Sequence, residues 1–207
     1  MKKLLCPIVL VLQLAFAPLA AATTYLFTSP TYTFASGSYT TSMRLTGSLT
    51  TAVPLPPNMP YSSVEPLATS WSFFDGLVTY TNLNTSDFEG FFVATDANGD
   101  ISAWGLDNLT PAAPNTVGET IDVVYIAQSG GGAAGGYHAT CVGVSVAGIC
   151  NAYTAIYLGI VEGSAGSWTT VRAPAAATPA PAADPRTLAL LALLMLVLAW
   201  RAFRHRA

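Results

Sequence analysis

The side chains that could carry covalent catalysis are few. His138 is the single histidine between positions 23 and 172, and Ser145 follows it in the string Gly-Val-Ser-Val-Ala. A histidine base needs a nucleophile and an orienting acid, but this string departs from the Gly-x-Ser-x-Gly elbow at its last residue. We therefore predict no enzymatic activity. A secreted hydrolase is the alternative, and it requires His138 to meet a serine or a carboxylate in a cleft.

One acidic segment has the ligand types of a calcium site. Asp96, Asn98 and Asp100 place oxygen atoms at alternate positions, as calcium loops do. The EF-hand order needs its glycine after the third ligand, whereas Gly99 precedes Asp100 here, and no glutamate follows at the right distance. Asn-Gly is also typical of a hairpin turn. We predict no metal and no cofactor, with these three residues as the candidates if a cation binds.

Other carboxylates could act on sugars. Asp87 with Glu89, or Glu65 with Asp75, would supply the pair of acids that a glycoside hydrolase needs. The separation of the two carboxyl groups decides such a mechanism, and a sequence does not give it. Solvated turn positions are the favoured explanation for these four acids.

Aromatic residues could bind sugars without reacting with them. Trp71 and Trp104 lie in alternating runs, which indicates core positions. Trp168 lies in the small, polar segment GSAGSWTT and is the candidate for an exposed stacking residue. A carbohydrate-binding module is therefore an alternative function, and it predicts an exposed aromatic strip that includes Trp168.

The elements that must position these residues are strands. Apolar and polar residues alternate through MRLTGSLT and again from Leu67 to Phe73, as in a half-buried strand. Asp75-Gly76 and Asn98-Gly99 indicate two-residue hairpin turns. Nine to eleven short strands predict an all-β fold, either a β-sandwich or a jelly-roll-like barrel. The segments 107–116 and 129–136 are expected to be loops.

Composition excludes one class of partner. Residues 23–172 contain ten acidic side chains and two basic ones, Arg44 and Arg172, for a formal charge of −8. A nucleic-acid-binding protein needs positive charge to neutralise phosphates. We therefore expect no nucleic-acid partner.

Two cysteines remain after the first 22 residues, Cys141 and Cys150. In an oxidising compartment they are expected to pair, and the intervening segment can turn back at Gly148. Two reduced thiols, or half of a metal site, are the alternatives.

The N-terminal segment has the layout of a secretory signal. Lys2 and Lys3 precede a mostly apolar stretch that runs to Leu19, and three alanines at 20–22 follow. We predict an N-terminal signal helix at 1–22, with cleavage after Ala22. An uncleaved anchor is the alternative.

The C-terminal segment is apolar first and basic last. The 14 residues from Thr187 to Trp200 precede Arg201, Arg204 and Arg206, the order of a transmembrane helix whose C-terminus is cytoplasmic. At 1.5 Å per residue the run spans roughly 21 Å, short of the ~30 Å bilayer core. Snorkelling arginines would extend it. A short run of this kind suits a signal that is held briefly and then cut.

This tail resembles a known sorting signal. Ala183-Asp184-Pro185 followed by Arg-Thr-Leu-Ala-Leu-Leu is similar to the PEP-CTERM tail of Gram-negative bacteria, or to the related IPTL-CTERM tail. Ala183 and Asp184 stand where the PEP-CTERM motif has proline and glutamate. The resemblance implies export, transient retention in the inner membrane and processing by an exosortase-type protease, followed by delivery to the cell surface or the exopolysaccharide layer.

The body resembles an uncharacterised module that such proteins carry, through YTTSMRLTGSLT, WSFFDG and VATDANGDI. The resulting organisation is a signal at 1–22, a β-sandwich at 23–172, an Ala/Pro-rich linker with the sorting motif at 173–186, and a transmembrane helix with a basic tail at 187–207. The expected function is that of an exported structural or adhesive protein at the cell surface or in the extracellular matrix.

Overall fold

The computed structural model describes residues 22–127 and 132–172. They form twelve strands: β1 (Thr23–Thr31), β2 (Phe34–Ala35), β3 (Arg44–Thr51), β4 (Ser62–Ser63), β5 (Ala68–Phe74), β6 (Thr79–Thr81), β7 (Ser86–Thr95), β8 (Ile101–Thr110), β9 (Thr120–Ala127), β10 (Ala133–Val144), β11 (Cys150–Glu162) and β12 (Ser167–Arg172). One 3₁₀ turn spans Glu65–Leu67. Among these residues no helix has the length and apolar character needed to cross a bilayer. Both predicted terminal helices, the linker and the sorting motif lie outside the described residues.

Two antiparallel sheets confirm the all-β prediction and are consistent with a β-sandwich. The five-stranded sheet has the order β12-β1-β3-β5-β6, and the seven-stranded sheet the order β2-β11-β10-β9-β8-β7-β4. Strands β7 to β11 follow one another in sequence and in space, so they form an up-and-down meander. Period-two alternation is the reason for this architecture, because it gives each strand one apolar face to bury.

The core lies where the inner faces of the two sheets meet. Strand β1 alternates buried and more exposed positions along Thr23–Ser29, and strands of both sheets contribute to one apolar cluster. Trp71 and Trp104 belong to it, with 4% and 9% of their surface exposed, as the sequence predicts. A second apolar cluster lies on the outer face of the seven-stranded sheet. It contains Leu109, Ile121 and Val123, which alternate along their strands with core positions.

The predicted hairpins at Asp75-Gly76 and Asn98-Gly99 are present, but their loops are longer than two residues. Residues 75–78 connect β5 to β6, and residues 96–100 connect β7 to β8. In each loop one aspartate oxygen accepts two backbone N–H groups: Oδ1 of Asp75 accepts from Leu77 and Val78 at 2.8 Å, and Oδ1 of Asp96 does the same in its own loop. By accepting these N–H groups, the two aspartates stabilise loops that are longer than a two-residue turn.

A buried carboxylate, that of Asp75, connects several parts of the interior through hydrogen bonds. Asp75 has no exposed surface, and its Oδ2 accepts hydrogen bonds from the hydroxyls of Tyr39 at 2.6 Å and Tyr80 at 2.8 Å. The hydroxyl of Tyr32 donates to the backbone carbonyl of Asp75 at 2.6 Å. Burial, and after it the charge of Asp75, raises the pKa of all three tyrosines well above the ordinary value. They therefore remain donors at any physiological pH.

Part of the predicted glycine loop at 129–136 is strand instead. Residues 133–136 open β10 and pair with both β9 and β11. The glycines are required by neighbouring atoms: a Cβ at Gly136 would overlap Oδ2 of Asp75, and one at Gly135 would overlap the carbonyl of Gly159. Glycine here permits close approach and does not mark a loop.

The predicted disulfide between Cys141 and Cys150 is present. The two Cα atoms lie 5.8 Å apart, and both side chains are fully buried in the second apolar cluster. The bridge closes the β10–β11 hairpin, whose turn runs from Ser145 to Ile149. It therefore fixes the turn end of the hairpin, which is hydrogen-bonded to Asn115 in the connection that follows β8.

Replacing Asp75 tests how much the buried network stabilises the fold. Asp75→Ala leaves two buried tyrosine hydroxyls and two partly buried backbone N–H groups without an acceptor, and each fully buried group costs about 1–3 kcal/mol. We expect the free energy of unfolding in urea to fall by about 4 kcal/mol. Asp96→Ala, which removes the same capping role from an exposed loop, is the matched control and should cost far less. Equal losses in the two variants would contradict the role of burial.

Candidate functional site

His138 meets a carboxylate. Its Nδ1 lies 2.7 Å from Oδ1 of Asp122, and each side chain is 24% exposed. The imidazole stacks on the ring of Tyr157 with centroids 4.4 Å apart. Ser145 instead accepts the N–H of Ile149 and shapes the β10–β11 turn. The structure brings together a base and an acid, and among the described residues no hydrogen bond joins His138 to Ser145.

The calcium candidates serve the β7–β8 hairpin. Besides its two backbone donors, Asp96 accepts a hydrogen bond from the side-chain amide of Asn98 at 3.4 Å. These hydrogen bonds lower the pKa of Asp96, the backbone N–H of Asn98 most of all. Asp100 is directed to a different partner, the hydroxyl of Thr170 at 2.6 Å. The described residues contain no group of three or more acidic, histidine or cysteine side chains suited to a metal.

The fold keeps neither of the two carboxylate pairs suggested by the sequence. Asp75 is buried in the core, away from solvent. Glu65 lies near Asp87 instead: burial first, and then the charge and a hydrogen bond of Asp87, raise the pKa of Glu65. Asp87 and Glu89 line separate depressions, since a register shift in β7 follows Asp87.

Trp168 lies against the core. Its ring contacts Phe27, Phe73 and Phe91, at centroid distances of 5.2, 6.2 and 6.1 Å. Its remaining edge lines a shallow depression with Asp100 and Thr170. The carbohydrate-binding alternative expects an exposed aromatic strip that includes Trp168. These contacts do not provide one.

A groove of ≈ 740 Å³ lies elsewhere, on the outer face of the seven-stranded sheet. Its floor is formed by β7, β8 and β9, where Gly90 is paired with Asp107 and Phe92 with Gly105. A Cβ at Gly105 would overlap the hydroxyl of Tyr61, and Gly90 has a φ of +96°. Gly90 and Gly105, on adjacent strands, add no side chain of their own to the floor, and Gly105 allows the Tyr61 hydroxyl to lie against it.

Aromatic rings form the walls. On one side Tyr61 and Phe92 stack with centroids 5.7 Å apart, their planes inclined by 21°, and Tyr61 is 57% exposed. On the other side Tyr125 lines the groove and begins a row of rings that continues at 6.3 Å through Tyr137 and then Tyr153. The groove is therefore lined by aromatic rings from β7, from β9 and from the segment before β4.

Asp107 is the unusual residue of this groove. It is 8% exposed, and its Oδ1 is buried with no hydrogen-bond partner among the described residues. Burial, and then the charge of Glu89, raise the pKa of Asp107 to about 7. Burial and Asp107 also contribute to the raised pKa of Tyr125 and of Tyr137, the latter reaching about 12. Among the described residues, no basic side chain lines the groove.

The sequence-based interpretation missed this groove. It assigned Asp107 to a loop running from 107 to 116, whereas β8 continues to Thr110. Tyr61 lies before the two-residue strand β4, far in sequence from its partners. The available signal was alternation in SAWGLDNL, which places Gly105 and Asp107 on the same face as each other and opposite Trp104 and Leu106.

Asp107→Asn tests the raised pKa of this carboxyl group. The unfolded-state pKa is near 3.9 and the folded value is about 7, so the folded state holds the extra proton between these pH values. The contribution of Asp107 to stability is therefore complete below about pH 4 and lost as the pH rises through 7. Asparagine resembles the neutral form.

The variant should match the wild type in thermal melts near pH 4 and exceed it near pH 8, by on the order of 4 kcal/mol in unfolding free energy. Glu162→Gln, which removes an exposed carboxylate in β11, is the control and should show no such gain. A difference for Asp107→Asn that stays constant from pH 4 to pH 8 would contradict the assigned pKa.

Comparison with known proteins adds no relative. No family model matches the chain, and neither a curated protein nor a solved structure is significantly similar to it. The resemblance to a sorting tail concerns residues 183–207, which lie outside the described residues, and it stays a prediction. What can be concluded about the groove therefore follows from its own geometry.

Proposed function

We propose that this chain is an exported protein of the cell surface or extracellular matrix whose β-sandwich has an adhesive role, holding polysaccharide in the outer groove. The observation that carries the proposal is the pairing of a glycine-lined floor with aromatic walls, Tyr61 and Phe92 on one side and Tyr125 on the other. Aromatic rings with one exposed face and a polar edge suit ligands that are apolar on one face and hydroxylated at the rim.

The ends of the sequence support an extracytoplasmic setting. The predicted signal and the predicted sorting tail place the inner membrane and an exosortase-type protease on the route of the protein. The disulfide between two buried cysteines agrees with folding in an oxidising compartment. A structural or adhesive domain with no catalysis remains the simplest function for such a protein.

A glycoside hydrolase is the second candidate. It is favoured by Glu89 and Asp107, which line the same groove, with the pKa of Asp107 raised to about 7, as a general acid requires. Release of reducing ends from a bound polysaccharide would select this candidate. Retention without release would select binding.

Substitution of a groove aromatic tests the binding proposal. Tyr61→Ala removes the most exposed ring of the groove and should weaken retention on soluble polysaccharides by roughly tenfold, measured by affinity electrophoresis of the full-length protein. Phe34→Ala is the matched control, because Phe34 is exposed to a similar extent, 54% against 57%, and lies in β2 outside the groove. Equal retention of the wild type and both variants would contradict the assigned site.

Mass spectrometry of the protein from its native host tests export and sorting. We expect the mature chain to begin at Thr23 and to lack the residues after about Pro185. Pro185→Ala alters the predicted motif and should leave the tail uncut, whereas Pro174→Ala, in the linker, should be processed normally. A cytosolic product that retains Met1, and in which Cys141 and Cys150 are free thiols, would contradict export.

A further inference from the structure

The groove has a charge that its ligand must match. Within the part of the chain that the structure describes, Glu89 and Asp107 are its two carboxylic acids and no basic side chain lines it. The described β-sandwich is acidic as a whole, with a formal charge of −8 over residues 23–172. A glycan that carries carboxylates would be repelled from this surface.

Asp107 also has unused hydrogen-bonding capacity. The side chain is more than nine-tenths buried, it lines the groove, and its Oδ1 has no partner within the described residues. A buried acceptor that is left unpaired costs about 1–3 kcal/mol, more when it is charged. Because Oδ1 itself has almost no exposed surface, a ligand that donates a charge-assisted hydrogen bond would recover that cost once the Asp107 side chain turns towards the groove.

The position of the groove disfavours a peptide ligand. Strand β8 lies between β7 and β9, and its residues Gly105 and Asp107 are paired in both ladders. A peptide that adds a strand needs a free sheet edge, which β8 and β9 at the floor of the groove do not offer. Ring faces and carboxylates remain, and they suit a sugar with a cationic substituent.

We propose that the groove selects glycans with free amino groups, such as polymers of hexosamine that are not fully acetylated. This inference rests on the proposed function and specifies its ligand. The sugar ring packs between the Tyr61–Phe92 pair and Tyr125, and its ammonium group donates to Asp107 beside Glu89. Acetylation of the amine removes both the charge and the ion pair.

The test compares three hexasaccharides with the full-length protein: chitosan, fully acetylated chitin and polygalacturonate. Isothermal titration calorimetry near pH 6 and ~0.15 M salt limits general attraction between exposed charges. We expect chitosan to bind at least tenfold more tightly than chitin, and polygalacturonate not to bind. Titrations in two buffers of different ionisation enthalpy should show a proton released from Asp107 on binding chitosan.

Asp107→Asn should reduce the preference for chitosan over chitin to less than threefold and abolish the proton release. Glu89→Gln should lower the preference without removing binding, and because Glu89 is exposed, this variant keeps the fold. Glu162→Gln makes the same change in charge outside the groove and should behave as the wild type.

A preference that survives in Asp107→Asn would overturn the inference, because it would reflect net charge alone. Equal binding of chitosan and chitin by the wild type would also overturn it while leaving the proposed function in place. If none of these sugars, nor any of the soluble polysaccharides, is retained, the proposed function itself fails.

Discussion

The burial of Asp75 constrains the rest of the sandwich. Removing a carboxylate from water is expensive unless its oxygens are fully hydrogen-bonded, and here each oxygen accepts two hydrogen bonds. The donors come from the β5–β6 hairpin and from Tyr39, which precedes β3 and packs on Tyr157 of β11. One side chain therefore joins the five-stranded sheet, a connecting loop and the seven-stranded sheet.

The network also explains why glycines occur in long strands. Gly136 in β10 leaves room for the carboxylate of Asp75, and Gly159 in β11 leaves room for the rings of Tyr32 and Tyr39. On the opposite face of the same sheet, Gly105 leaves room for Tyr61. Glycine weakens an isolated strand, so these positions depend on close packing on one face or the other. Glycines that permit close packing therefore shape both the interior and the groove.

Sequence patterns predict the local features well and the assembled ones poorly. Alternation predicts the strands and the core positions of Trp71 and Trp104, and spacing predicts the disulfide. Loop lengths differ at Asp75 and Asp96 because a side chain that caps backbone N–H groups changes the turn, and hairpin rules consider only the backbone preference. The groove could not be predicted, since it depends on Tyr61 reaching across from a distant segment to cover Gly105.

Two aspartates with nearly the same exposure show how structure and function can be separated. Asp75 and Asp107 are 0% and 8% exposed, yet Asp75 has four donors within the fold, while Oδ1 of Asp107 has none among the described residues. Stability explains the first arrangement completely. It does not explain the second, because a neutral residue at position 107 would fold at lower cost above pH 7. A buried acid that weakens the fold in that range is most simply accounted for by what binds to it.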